Sequence, residues 1–457
     1  MVVCKFGGSS LADAGQIRKV RDIVAESPER TVVVVSAPGK RRKEDEKITD
    51  ILISCHVMAA RGEDIGDRFA LVRERYTSIA DELGLETDLA PVLDEVERSI
   101  RDGADRSAVV SRGEYLGAHL VAAFLGFEFV DAAEIIRFAD ETSVDAAETD
   151  RLVQERLLSQ RRYVVPGFYG AWADGRVQLF SRGGSDISAS LLARALDAEL
   201  YENWTDVSGL LSADPRVVEG PAPIEQVSYR ELRELAFLGA AVFHEEAVAP
   251  VARKNIPIRI RNTNEPGHPG TLIAAAGGAV ADAGAPAAQG AADGAVAAEG
   301  PAVTGVAGRT GFRTLLLERP MLSKDTGYVD RVRAVCAAAG VPVRHAASGS
   351  DSLLVVCAGE PLAAVQADLV ERLRAEPGAE RVDIGEPLAV VGAVYATPGV
   401  HPVLLERIAA ALARAGIELR YVSAGESPHT MVFGVEEGDY EAAVRAVYAG
   451  ARGETTQ

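Results

Sequence analysis

The chain has 457 residues, 47% of them hydrophobic, and a formal net charge of -19. At roughly 100–200 residues per domain this gives two to four domains, each with enough apolar material for a core. The negative balance argues against bulk attraction to nucleic acid or an anionic membrane, so an anionic substrate must be held by a few local cations.

No stretch approaches the roughly 20 uninterrupted apolar residues of a membrane span, and the first residues lack the basic and apolar blocks of a signal peptide. Cys4, Cys55, Cys336 and Cys357 show no C-x-x-C spacing and no histidine at metal-ligand spacing, so no metal site is expected. Reduced, buried thiols in a cytoplasmic chain fit this pattern.

In chain order, Val2–Phe6 reads as a strand, Gly7-Gly8-Ser9-Ser10 as a turn, and the next segment as a helix with Ile17, Val20, Ile23 and Val24 on one face. Thr31–Ser36 is an almost wholly apolar strand, the kind buried on both faces of an α/β sheet. Residues 40–47 are nearly all charged, a solvated loop or a flap over a site. Residues 60–110 form a helical insertion. Tyr163-Val164-Val165 and Val177–Phe180 are further strands, the second leading into Ser181-Arg182-Gly183-Gly184-Ser185-Asp186 and a helix. Residues 274–302 are low-complexity Ala/Gly with Pro, which cannot bury enough surface to offset ordering entropy, and read as a flexible linker. Beyond it come two βαββα units. The first has strands at 314–317, 341–344 and 353–356 and helices at 328–339 and 362–375. The second has strands at 389–392, 417–420 and 430–433 and helices at 402–415 and 440–448.

Gly39-Lys40 is followed by Arg41, so no Walker A loop is present. The glycine turns are of another kind. In Lys5-Phe6-Gly7-Gly8-Ser9-Ser10 a cation and two glycines stand between strand and helix, where backbone N–H groups can approach an anion closely. Alone this is an ordinary turn. Ser181–Asp186 repeats it with Arg182, whose planar fork suits a carboxylate. Both turns fall at carboxyl ends of strands, where open α/β sheets bind ligands. Asp186 also reads as a helix cap, and Trp204–Arg216 as a loop of turn formers.

The ordered set KFGGSS, VVVVSAPGK, SRGE, SRGGSD, WTDVSG and SADPR, with a tandem βαββα tail, resembles the amino-acid kinase superfamily and within it the monofunctional, Bacillus-type aspartate kinases, whose tails are paired ACT domains. The resemblance implies an amino-acid-kinase-type three-layer α/β sandwich with a mostly parallel sheet (residues 1–273), the linker (274–302) and two ACT-like α+β units (303–386 and 387–457). It implies ATP as co-substrate with Mg²⁺, phosphorylation of the L-aspartate side chain, and feedback inhibition by lysine and/or threonine, with a homodimer through the ACT-like units.

By the same resemblance Lys5, Gly7, Gly8 and Ser9 hold the ATP phosphates, and Thr205, Asp206 and Arg216 contact the nucleotide. Ser36, Thr49, Glu114, Phe168, Arg182 and Ser185 contact aspartate, with Arg182 on the α-carboxylate, and Asp186 stands near the transferred phosphoryl group. Lys5, Arg182 and Asp186 form the catalytic set. The effector site draws on Met321, Ser323, Gly327, Tyr328 and Val329, faced by Ser348 and Gly349. Two positions depart from the family pattern: Leu211 replaces a tyrosine, and Ala241 replaces a lysine at the nucleotide end. The glycine turns alone leave open a kinase for glutamate or acetylglutamate, and the tail leaves open an amino-acid sensor with a decayed kinase site.

Overall fold

The computed structural model describes residues 1–181, 183–240, 243, 245–276 and 302–453, with Glu245 and Glu426 as backbone only. Most of the expected linker, residues 277–301, therefore lies outside the described residues, while Ala274 closes the strand Thr271–Ala274. The chain divides into two units: Met1–Leu210, Pro223–Leu232 and Ala241–Gly290 form the first, and Leu211–Ala222, Arg233–Ala240 and Ala291–Gln457 the second.

Among the described residues the first unit carries an eight-stranded sheet. Its order is Gln226–Ser228, Thr271–Ala274, Ile258–Asn262, Leu200–Thr205, Val2–Phe6, Arg30–Val35, Tyr163–Pro166 and Glu128–Phe129. Neighbours pair in parallel except Ile258–Asn262 with Thr271–Ala274. Val32, Val33, Val34 and Val35 are all fully buried, as a parallel sheet covered on both faces requires. The two-residue period sends Cys4 and Phe6 into the core under the helices Ala14–Ala25 and Arg112–Leu125, and Lys5 to the opposite face, toward the helix Gly184–Ala195. Between residues 48 and 110 stand the helices Ile48–Ala60, Gly66–Leu83, Ala90–Arg101 and Arg106–Val110.

The second unit has a six-stranded antiparallel sheet. Its order is Val343–Ser348, Ser352–Ala358, Val303–Glu318, Arg381–Tyr395, Thr430–Glu436 and Tyr421–Ser427. Val303–Glu318 and Arg381–Tyr395 are long strands shared by two cores. Helices Tyr328–Ala338 and Gly359–Ala375 cover one core, and Pro402–Arg414 and Tyr440–Arg452 the other. Ala213 and Val218, from the segment holding Asp214-Pro215-Arg216, join the second core, and Ser212 C=O accepts from Val306 N–H at 2.7 Å.

Two strands start later than expected, for the same reason in both repeats. Val341–Arg344 and Ile417–Arg420 were expected as strands; the structure places strands at Val343–Ser348 and Tyr421–Ser427. After each preceding helix a left-handed glycine (Gly340, φ 72°; Gly416, φ 70°) turns the chain, and the next amide bonds back into the helix, Val341 to Cys336 and Ile417 to Leu412. This closure satisfies helix-end carbonyls and buries Val341 and Ile417 as core plugs, so their apolar character imitates a strand start. No helix among the described residues is long and apolar enough to cross a membrane, and all four cysteines are free and buried.

Candidate active site

The ladder of the parallel sheet continues one residue beyond its strands. Gly7 N–H donates to Trp204 C=O (3.0 Å), Ser36 N–H to Phe6 C=O (3.2 Å), Gly167 N–H to Val35 C=O (2.9 Å) and Thr263 N–H to Thr205 C=O (2.8 Å). The turns after the parallel strands are thus set by the strands next to them, and residues far apart in sequence meet at one sheet edge.

Lys5 and Asp186 form the centre of this group. The Lys5 ammonium lies 2.6 Å from Asp186 Oδ1, with side chains only 11% and 17% exposed. Asn203 bridges them: its Oδ1 accepts from Lys5 Nζ at 3.4 Å and its Nδ2 donates to Asp186 Oδ1 at 3.1 Å. Asp186 stands in the first turn of Gly184–Ala195, after Gly183 at φ 61°. Beside it, Ser36 Oγ donates to Ser185 Oγ at 3.0 Å. Gly167 and Gly184 permit this approach. A Cβ on Gly167 would sit 2.6 Å from Ser185 Cβ, and one on Gly184 2.6 Å from the Phe168 ring. Phe168 is itself left-handed (φ 81°) and its N–H donates to Ser188 Oγ at 3.1 Å. A bulky residue there is strained, and such strain gathers at ligand sites.

Glu114, in the first turn of Arg112–Leu125, is buried with Oε2 lacking a hydrogen-bond partner. Burial pushes its carboxyl up to about 7, against hydrogen bonds from backbone N–H groups including that of Ala37. A buried carboxylate with a free oxygen suits an incoming ammonium group. Thr49, half-buried, opens the helix Ile48–Ala60. Thr205 Oγ1 donates to the exposed Asp206 at 3.2 Å.

Gly8 and Ser9 lie in a single 3-10 turn, Gly8–Leu11, and the longer helix begins only at Ala14 behind the Asp13 cap. The turn read at Gly7–Ser10 is thus a 3-10 turn ahead of the expected helix, and Gly7 has already committed its N–H to Trp204 C=O. Arg216 belongs to the second unit, where it is exposed and pairs with Asp214 at 2.6 Å. Arg182 and Ala241 lie outside the described residues. The described residues hold no group of three or more His, Cys, Asp or Glu that could hold a metal. A Mg²⁺ ion held mainly by phosphates needs only one or two carboxylates, and Asp186 supplies one.

Sequence reasoning passed over Asn203 and the network beneath it. Glu202 accepts from Arg30 Nε (2.7 Å) and Nη2 (3.0 Å), Trp204 Nε1 (3.1 Å), Arg261 Nη1 (3.4 Å) and Cys4 Sγ (3.3 Å). Burial pushes the Glu202 carboxyl up, but Arg30, Trp204 and Arg261 hold it below the usual range. The same burial, with Glu202 beside it, pushes the Cys4 thiol well up. The available signal was two adjacent polar residues, Glu202-Asn203, inside an otherwise apolar strand.

In the second unit, Met321 (φ 57°, 55% exposed) donates its N–H to Asp351 Oδ1 at 2.6 Å, and Ser323 N–H donates to Ser350 C=O at 2.9 Å. Gly327 caps the helix Tyr328–Ala338, and half-buried Val329 packs against the first core. Tyr328 is buried under the guanidinium groups of Arg319 and Arg331, which both bond Asp325 (2.8 and 2.5 Å), and its hydroxyl has no partner. Ser348 ends a strand in solvent, and Gly349 N–H donates to Ser352 C=O at 2.7 Å.

Residues 1–262 match the amino acid kinase family, and residues 388–450 match an ACT domain. Aspartokinase 3 of Bacillus subtilis is 33% identical over 98% of this chain and 98% of its own length. The crystal structure of Clostridium acetobutylicum aspartate kinase superposes with a TM-score of 0.87 at 38% identity, covering 98% of this chain and 100% of that one. Escherichia coli aspartokinase III in complex with aspartate and ADP shares the fold, with a TM-score of 0.71 at 23% identity over 98% and 99% of the two chains. The chain belongs to the amino acid kinase family and, within it, to the aspartate kinases, which are phosphotransferases.

Proposed function

We propose that the chain transfers the γ-phosphoryl group of ATP to the side-chain carboxylate of L-aspartate, giving 4-phospho-L-aspartate, the first step toward lysine, threonine and methionine. The observation that carries this reading is the Lys5–Asp186–Asn203 cluster at the sheet edge, beside the Ser36–Ser185 pair, together with the buried Glu114, whose Oε2 has no hydrogen-bond partner. The attacking carboxylate is ionised at neutral pH, so no general base is needed, and catalysis rests on positioning and charge stabilisation. Gly7 N–H is taken, so phosphate contacts fall to Lys5 and the amides of Gly8 and Ser9. Mg²⁺ would be held by Asp186 and the phosphates and would neutralise charge there. Asp186 also orients Lys5, with Asn203 locking both. Glu114 receives the aspartate ammonium, Arg182 its α-carboxylate, and Ser36, Ser185, Thr49 and Phe168 shape the acceptor pocket. Thr205 and Asp206 complete nucleotide recognition.

The loops at Met321–Val329 and Ser348–Gly349 take lysine and/or threonine, which inhibit by binding one conformational state better than another. Pairing of the exposed edge strands Val343–Ser348 and Tyr421–Ser427 with a second copy gives a homodimer. The free buried thiols suit a cytoplasmic setting.

The test is ADP formation with aspartate, glutamate or acetylglutamate as acceptor, with and without lysine and threonine. Aspartate-dependent ADP release supports the reading. Release that ignores aspartate, or none from folded protein that binds lysine or threonine, sinks it and favours a sensor with a decayed kinase site.

A further inference from the structure

We propose that Arg75 is a positioning residue for phosphoryl transfer, holding the charged loop after Ser36 against the Gly8 turn. The inference rests on the reading that this turn carries the ATP phosphates, and it concerns residues 40–47, to which the mechanism above gives no task.

The Gly8 turn and the loop at Gly39 touch backbone to backbone. Gly39 N–H donates to Gly8 C=O at 2.8 Å. A Cβ on Gly39 would lie 2.7 Å from both the carbonyl carbon and oxygen of Gly8, and one on Gly8 would lie 2.9 Å from Ala37 C=O. Contacts that close require glycine at positions 8 and 39, so the placement of Gly39 fixes the placement of Gly8.

Arg75 holds Gly39 in turn. It projects from the helix Gly66–Leu83, its side chain only 5% exposed. Nη1 donates to Gly39 C=O at 2.9 Å, and Nη2 to Asp45 Oδ2 at 3.0 Å. The same Asp45 oxygen accepts from Arg41 N–H (2.9 Å) and Arg41 Nε (3.2 Å), and Glu46 pairs with Arg68. One planar guanidinium thus ties the near and far ends of the loop to a rigid helix, a span that the compact lysine ammonium, with its donors on a single nitrogen, does not copy. With Asp45 and Glu46 engaged, the exposed residues of the loop include Lys40, Arg42, Lys43 and Lys47, with Glu44 among them. Without Arg75, Gly39 C=O and the Asp45 carboxylate both lose a charged donor, and the loop is free to lift from Gly8.

The experiment compares full-length wild type, Arg75→Met, Arg75→Lys and Asp45→Asn. It measures KM for ATP and for aspartate, kcat, Mg-ATP affinity, and tryptic cleavage at Lys40–Lys47 followed by mass spectrometry. For Arg75→Met, KM for ATP rises roughly tenfold, the size of one lost charged hydrogen bond, and more than KM for aspartate. Cleavage in the loop accelerates, and Arg75→Lys falls between the two. An ATP KM and a cleavage rate both within twofold of wild type would overturn the proposal, as would a fall in kcat alone with a lowered melting temperature. Should Arg75→Met fail to fold, Asp45→Asn decides. It keeps the Gly39 bond but loosens the far end, so cleavage quickens and the ATP KM rises roughly threefold; unchanged cleavage overturns the tether. If the wild type yields no aspartyl phosphate, the reaction is wrong, and Mg-ATP affinity with the cleavage rates still judges the tether.

Discussion

The two units build their sites in opposite ways. In the first, Lys5, Ser36, Glu114, Ser185, Asp186 and Asn203 come from points spread over nearly 200 residues of sequence and are mostly buried; Lys5, Asp186 and Asn203 are bonded to one another, as are Ser36 and Ser185. In the second, the candidate effector residues come from two short local stretches, Met321–Val329 and Ser348–Gly349, held largely by backbone hydrogen bonds, with Met321 and Ser348 in solvent. Phosphoryl transfer needs charges that do not reorganise, and burial supplies that rigidity. A sensor must differ between two states, and exposed loops near helix starts can shift at small cost.

The comparison breaks most visibly at Lys5. Lys5→Ala is expected to lower kcat by at least about a hundredfold with a small change in aspartate KM, because the ammonium matters most as the phosphoryl group transfers. Steady-state kinetics at saturating Mg-ATP check this, and an unchanged kcat removes Lys5 from the chemistry.

Next is the support beneath the site. Glu202→Ala leaves Arg30 buried without its carboxylate and is expected to cost about 3–5 kcal/mol, read by chemical denaturation of the first unit. A loss below about 1 kcal/mol would show that the network is not rigid.

Glu114 gives a pH test. Its carboxyl is raised from 4.5 to about 7 by burial, so the folded protein holds this proton where the unfolded chain has released it. Its contribution to stability therefore falls as pH rises through that interval and is level above it. Under the proposed function the dependence runs the other way, since an aspartate ammonium at Glu114 needs the ionised form. KM for aspartate is expected to drop roughly five- to tenfold between about pH 6 and pH 8, and Glu114→Gln to lose that dependence. An identical slope in the variant would assign the titration elsewhere.

The smallest effect is expected in the second unit. The Tyr328 hydroxyl is buried without a partner, so Tyr328→Phe removes a desolvated group and leaves the ring under Arg319 and Arg331. The melting temperature is expected to stay within about 2 °C or to rise. A large drop would mean that the hydroxyl is bonded in solution.

Local signals in the sequence located much of this. The apolar runs named the central strands, and the glycine pairs at residues 7–8 and 183–184 marked the two turns at the sheet edge. What stayed hidden depends on distance in sequence. Asn203 becomes a site residue only because its strand pairs with Val2–Phe6 in the register Lys5↔Asn203. Arg75 read as one of many charges on a helical insertion, and only the fold brings it to Gly39. Val341 and Ile417 misled because a helix cap and a strand start both ask for a buried apolar residue after a glycine.

In the proposed reaction the buried cluster around Lys5 and Asp186 makes an acyl phosphate on aspartate. Trapping with hydroxylamine tests it most directly, with ATP, Mg²⁺ and each of aspartate, glutamate and acetylglutamate, for wild type and Lys5→Ala. Aspartyl hydroxamate is expected from wild type with aspartate, with little or none from the other acceptors and almost none from the variant. Equal hydroxamate from glutamate, or undiminished product from Lys5→Ala, would contradict it.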